Sequence, residues 1–332
     1  MRISKLSLAA LFLLAACGGG GGDDGGTAPV GVSNTPVAID ANNYVAVATE
    51  SVSAVGYVLD ATEFFTGARV SSERVVLDFV RAQALELPRW FGAVSPLPSG
   101  AEFTETISCS GGGSMQATTN DVNGNEDLDP GDSVSIVATN CVEFDSTVNG
   151  TIAMRVTKYT GDLEGYVYDL GMTMTLTNLS VSMAEGSTVG NGTMAMEMAM
   201  TGPETGSLEL TFDPLTMTGT YGGEAYSRTM WQFHIAETYA PVNHMFRAEM
   251  RLSGTLGSSA LASRAVVLST LQPMVSVGED EYPSSGQILA TGASGSKMRL
   301  TAQNATTVMI ELDANGDDTY ETMVTRPWSD LM

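Results

Sequence analysis

The sequence predicts a mainly β protein: a large antiparallel β-meander of repeated hairpins, curled into a barrel or a sandwich, with two N-terminal helices. Three observations predict it. From about residue 99 onward apolar and polar residues alternate with a period of two. Turn signals such as Asn149-Gly150, Asn191-Gly192 and Gly286 punctuate these runs at short intervals. Helical periodicity is confined to residues 40–91. A sheet this long must curl, by closing or by folding over, to protect its edges.

The elements follow in chain order. Arg2 and Lys5 precede an apolar run, Leu6 to Leu14, that is too short for the roughly 20 residues needed to span a bilayer. Leu14-Ala15-Ala16-Cys17 closes it and five glycines follow. This string resembles a bacterial lipobox, which implies that residues 1–16 are a lipoprotein signal peptide, removed before an acylated Cys17. An ordinary cleaved signal with a chance cysteine is the alternative. Gly18 rather than aspartate after the cysteine implies passage to the outer membrane, with periplasmic and surface display both open. Residues 17–36 read as a Gly-rich tether, and residues 37–98 as a helical segment packed on the sheet. There, Val45 to Phe65 has few breakers beyond Gly56, and Ser71 or Ser72 can cap a second helix. In it Val76, Phe79, Val80 and Leu87 recur at helical spacing before Pro88. The pair either plugs one mouth of the sheet or covers its apolar face. Residues 99–332 form the antiparallel β domain.

Charge narrows the partners. The 332-residue chain carries a formal charge of −23, and loss of Arg2 and Lys5 with the signal makes it more negative still. Nucleic acid and anionic membrane surfaces are therefore excluded as charge-matched partners, whereas divalent cations suit it. With Cys17 acylated, Cys109 and Cys141 remain as a pair in a compartment that permits disulfides. If Glu105–Gln116 and Ser133–Cys141 are the arms of one hairpin, the cysteines face each other, give or take a bulge, and clamp the acidic loop between them. Two buried free thiols are the alternative.

That loop is the strongest chemical motif. Residues 121–132 read Asp-Val-Asn-Gly-Asn-Glu-Asp-Leu-Asp-Pro-Gly-Asp and resemble the twelve-residue calcium loops of EF-hands and dockerins. Calcium takes six to eight hard oxygens at roughly 2.3–2.6 Å, which alternate carboxylates and amides supply as the backbone turns about the ion. The resemblance assigns Asp121, Asn123 and Asn125 to positions 1, 3 and 5, the Asp127 carbonyl to 7, and Asp129 and Asp132 to 9 and 12. Glu126 replaces the usual glycine, Asp132 is shorter than the usual glutamate, and the flanks read as strands, so the resemblance covers the loop and not the EF-hand fold. A partial copy, Asp313, Asn315, Asp317 and Glu321, lies near the C-terminus and lacks a ligand at position 12. Metal-free Asx turns are the alternative for both loops, since Asn-Gly favours such turns by itself.

Between the loops the chain repeats a form. Ala138-Thr-Asn-Cys141, Leu176-Thr-Asn-Leu179, Phe212-Asp-Pro-Leu215 and Leu271-Gln-Pro-Met274 each interrupt an alternating strand and shift its apolar phase by one, as a β-bulge does. Met194, Met196, Met198 and Met200, and likewise Met172 and Met174, mark one apolar strand face. His234 alternates with Trp231, Phe233 and Ile235 and so is expected to point away from all three. Taken together, the lipobox, Gly tether, cysteine-bracketed Asp/Asn loop and Asn-Gly strands resemble a group of uncharacterised proteobacterial outer-membrane lipoproteins, a resemblance that implies no activity.

No Gly-x-Ser-x-Gly elbow, His-Glu-x-x-His or phosphate loop occurs, and only two histidines could serve as bases. The expectation is thus a non-enzymatic, lipid-anchored cell-envelope protein, a calcium-stabilised β scaffold for binding or adhesion whose ligand is a protein, a glycan or a lipid. One alternative is a carrier of an apolar, lipid-like ligand on the Met-rich face. A second is a glycoside hydrolase built on two carboxylates.

Overall fold

The computed structural model describes residues 31–59, 72–87 and 102–331, apart from Glu126, Phe144, Glu164 and Glu279. The signal sequence, Cys17 and most of the tether lie outside the described residues. Two helices come first: α1 (Tyr44–Leu59), within the stretch poor in breakers whose expected end at Phe65 lies outside the described residues, and α2 (Ser72–Leu85), where the apolar spacing predicts it. Fourteen strands follow: β1 (Glu102–Ser108), β2 (Ser114–Asn120), β3 (Ser133–Glu143), β4 (Ser146–Asp162), β5 (Val167–Met183), β6 (Gly186–Gly202), β7 (Thr205–Tyr221), β8 (Glu224–Val242), β9 (Met245–Ser258), β10 (Arg264–Val277), β11 (Ser285–Thr291), β12 (Lys297–Asn304), β13 (Thr307–Asp313) and β14 (Thr322–Pro327).

Every strand pairs antiparallel with its neighbours in sequence, so the meander is complete from β1 to β14. Those two strands do not pair with each other, which removes the closed-barrel alternative. The edges are blunted by side chains instead. β1 carries Glu102 and Glu105 on a strand exposed over most of its length, and β14 ends in Arg326-Pro327.

Strands β4 to β7 each run 17 residues, about three times the usual length. A row of bulges crossing them explains how they keep one apolar face. Asn140 of β3, Asn178 of β5 and Gln232 of β8 all adopt positive φ, at 44°, 47° and 45°. Each donates its N–H to a side chain on an adjacent strand: Asn140 to Asn149 Oδ1 at 2.7 Å, Asn178 to Asn191 Oδ1 at 2.7 Å, and Gln232 to Asp213 Oδ1 at 3.3 Å. Beside this row Gly192 adopts φ 132°, and a Cβ there would lie 2.0 Å from the Pro214 carbonyl oxygen. The inserted residue absorbs the phase shift seen in the sequence. In β5, Leu170, Met172, Met174 and Leu176 are buried before the bulge and Leu179 and Val181 after it.

One core results. The methionines of β4, β5 and β6 stand side by side on the core face of the sheet, with Met154 paired to Met174, Met174 to Met194 and Met172 to Met196 in the strand register. On this face α2 packs against β5, β6 and β7, and α1 against β9 and β11 to β13. The helices therefore cover the apolar face, as the sequence allows. Glu50 of α1 is tied to Arg228 of β8 by a 2.9 Å ion pair whose side chains are only 12% and 9% exposed. The segment before α1 runs over the β9–β10 and β11–β12 connections. Pro36 bridges Ala265, Val37 donates its N–H to the Ala265 carbonyl at 2.8 Å, and Ile39 donates to Ser296 Oγ at 2.9 Å.

The cysteines are joined, with Cα atoms 5.4 Å apart, but their setting differs from the one expected. The arm read as Glu105–Gln116 is itself a hairpin: Gly112 and Gly113, at φ 115° and 74°, turn the chain between β1 and β2. Cys109 sits in that turn. Register runs from Ser114 opposite Thr139 at the disulfide end to Asn120 opposite Ser133 at the acidic end. The bridge therefore closes the far end of the β2–β3 hairpin, about 20 Å of strand from the loop, and does not clamp it.

Candidate metal loops

The first loop connects β2 to β3. Asp121 and Asp132, 7% and 0% exposed, stand at its two ends and hold the backbone. Asp121 Oδ1 accepts the N–H groups of Asn123 at 3.1 Å and Gly124 at 2.6 Å, and the Asp132 carboxylate accepts those of Val122 at 2.9 Å and Asp129 at 2.7 Å. Asn123 Oδ1 accepts from the Asn125 N–H and Asn125 Oδ1 from the Asp127 N–H, both at 3.0 Å. Both amide nitrogens, of Asn123 and Asn125, donate to Asp129 Oδ2 at 2.7 and 2.8 Å. Leu128 is buried beneath, as the apolar eighth position requires. Burial pushes the Asp132 carboxyl above the ordinary range, the charges of Asp121 and Asp129 add to this, and the two N–H donors oppose it. The loop is thus a chain of Asx turns that sets three carboxylates and two amides around one bend. Among the described residues its carboxylates do not form a group of three within 4.8 Å of one another.

The second loop does. It connects β13 to β14, and carboxylate oxygens of Asp313, Asp317 and Glu321 lie within 4.8 Å of one another. Asp313 is fully buried. Its Oδ1 accepts from the N–H groups of Gly316 at 2.7 Å and Asp317 at 3.2 Å, and its Oδ2 from that of Asp318 at 2.9 Å. Glu321 Oε2 accepts the Ala314 N–H at 3.1 Å, which folds the end of the loop back onto its start. The Thr319 N–H and the Asn315 amide hold the Asp317 carboxyl below its usual range. Arg299 buttresses the loop from β12, donating twice to Glu311 at 2.7 and 2.8 Å and stacking over the Tyr320 ring at 4.1 Å.

No known protein family, curated protein or solved structure matches the chain. The reading therefore rests on donor chemistry alone. Asp313, Asp317 and Glu321 with the Asn315 amide form a set of hard oxygens of the kind calcium takes. The sequence reading missed one residue here. Lys297, directly opposite Asp313 in the β12–β13 register, places Nζ 3.9 Å from Asp313 Oδ2 and pairs with Asp318. Its signal was position, since it starts the strand that pairs with the strand entering the loop. This ammonium already offsets part of the loop's charge and competes with a metal for Asp313.

Cys109, Cys141 and Glu143 also lie together, but both sulfurs are spent in the disulfide. Glu143 instead accepts from the Ser110 N–H and hydroxyl at 2.7 and 2.6 Å, which hold its carboxyl low. Successive connections of a meander alternate between the two ends of its sheet, so the two acidic loops lie at opposite ends.

Proposed function

We propose that the chain is a lipid-anchored cell-envelope protein without catalytic activity, a calcium-stabilised β scaffold for binding or adhesion. The observation that carries this reading is the convergence of Asp313, Asp317 and Glu321 at the connection between β13 and β14. Such a loop binds a cation with little ordering cost, because backbone donors already hold the buried Asp313 in place. The first loop joins the scheme when Asn123 and Asn125 turn their amide oxygens inward beside Asp121, Asp127, Asp129 and Asp132.

Thermal unfolding in millimolar calcium and then in excess chelator tests this. A site bound only in the folded state adds about 2.7 kcal/mol at 100 times its dissociation constant. The expected rise in midpoint disappears in Asp317→Asn/Glu321→Gln, which leaves the buried Asp313 untouched. An unchanged midpoint makes both loops plain Asx turns and removes calcium from the reading. The anchor has its own test: fatty-acid labelling of the chain, expected for the native sequence and lost in Cys17→Ser.

A second reading, a carrier of an apolar ligand, is favoured by the methionine rows beneath the helices, since thioether side chains adapt to irregular guests. A fluorescent fatty acid displaced by lipid, with a Met194→Asp/Met196→Asp variant that no longer takes it up, would support it.

A further inference from the structure

The row of bulges does more than preserve the core face. At a bulge two successive residues share one side of the strand, so side chains double up on the outer face. In β7 Phe212 and Leu215 are buried while Asp213 and Pro214 are exposed. In β8 Met230 and Phe233 are buried and Trp231 and Gln232 face outward, which corrects the expectation that Trp231 shares the side of Phe233 and Ile235. Trp231 lies opposite Thr255 of β9, and a Cβ on the neighbouring Gly257 would come 2.5 Å from Val32 Cγ1 and 2.8 Å from the indole. The missing side chain leaves room against the sheet for both the ring and Val32. The segment Asn34–Pro36, held to β10 by the Pro36–Ala265 bridge, builds a wall beside it. These residues enclose an open groove of about 320 Å³.

We propose that this groove binds one unit of a neutral sugar chain. The proposal rests on the reading of the molecule as a binding scaffold and supplies its ligand class. An indole offers a flat apolar surface for the C–H face of a sugar ring. Around it stand one carboxylate (Asp213), two carboxamides (Gln232 and Asn34) and one hydroxyl (Thr255), a set that both donates and accepts, as vicinal hydroxyl groups require. Other classes fit less well. A net charge of −23 repels anions. The polar rim and a volume at the small end of ligand sites disfavour an acyl chain. A compact cation would find a single carboxylate, already accepting the Gln232 N–H.

Isothermal titration calorimetry of the full chain with cellohexaose, maltohexaose and chitohexaose tests the assignment, with choline chloride as the cationic control. At least one hexasaccharide is expected to bind. Its affinity falls at least tenfold in Trp231→Ala. Val267→Arg, at an exposed position in the groove, blocks it without touching the core, so the outcome does not depend on how Trp231→Ala folds. Absence of heat with all three sugars, binding unchanged in both Trp231→Ala and Val267→Arg, or choline binding abolished by Asp213→Asn would each overturn the proposal. The calcium melt is independent. A calcium shift without sugar binding removes this groove and leaves the scaffold.

Discussion

Asp132 and Asp317 are both loop carboxylates, yet they are held in opposite senses. Burial raises the first, so its proton is bound more tightly in the folded chain than in the unfolded one. In the absence of metal, acidification through its raised folded value therefore adds stability. Backbone and amide donors lower the second, so its contribution is complete above its unfolded value and is lost as pH falls through the depressed folded one. A carboxyl-carbon NMR titration in chelator is expected to place the Asp132 midpoint above, and the Asp317 midpoint below, those of ordinary aspartates. Gly192→Ala is expected to cost about 3 kcal/mol or more in urea unfolding, because a left-handed backbone and the Pro214 carbonyl both oppose a Cβ. Much at this scale was legible. Alternating Asp and Asn announce a turn whose side chains face its own backbone, and the second loop shows them converging. Trp231 was not legible. Its bulge lacks the Asn or Pro that marks the other copies, so Met230-Trp231-Gln232-Phe233 reads as plain alternation with one polar gap. Lys297 was hidden for another reason, since its partners come from across a hairpin.

Long-range ties add to the packing that secures individual elements. Glu50→Ala removes the carboxylate that ties α1 to the Arg228 guanidinium and is expected to cost at most about 3–5 kcal/mol. Arg228→Met/Glu50→Leu should recover most of it, and urea melts of the single and paired variants measure the difference. The disulfide closes a separation of 32 residues, for which the chain-entropy account gives roughly 3–4 kcal/mol. Cys109→Ala/Cys141→Ala is expected to lower stability by about that amount and to leave any calcium response unchanged, since the bridge lies at the other end of β2 and β3. The elements themselves were legible wherever a residue choice forces geometry, as in the Asn-bearing bulges and both helices. The β1–β2 turn was misread because Ser110 to Ser114 carries no Asn-Gly or Asp-Gly pair, the strongest short hairpin signal.

For the whole molecule, alternation and turn spacing announce an antiparallel meander, but closure depends on whether the first and last strands meet, which no local pattern encodes. They do not meet, and the two edges differ from the centre in cover. Amide hydrogen exchange is expected to be fastest in β1 and β14 and slowest in the inward halves of β5 to β8, where both neighbours and the core protect each strand. Equal protection across all fourteen strands would show that the edges are covered in solution.

A sheet whose strands pair only with their chain neighbours has a further consequence, which concerns the order in which it is made. Each hairpin holds its own partners, so pairing can advance strand by strand as the chain is synthesised, with short loops closed at every step. The amino-terminal segment is the exception. Pro36 and Val37 must wait for Ala265, and Ile39 for Ser296, so a segment made before the sheet is among the last to find its place.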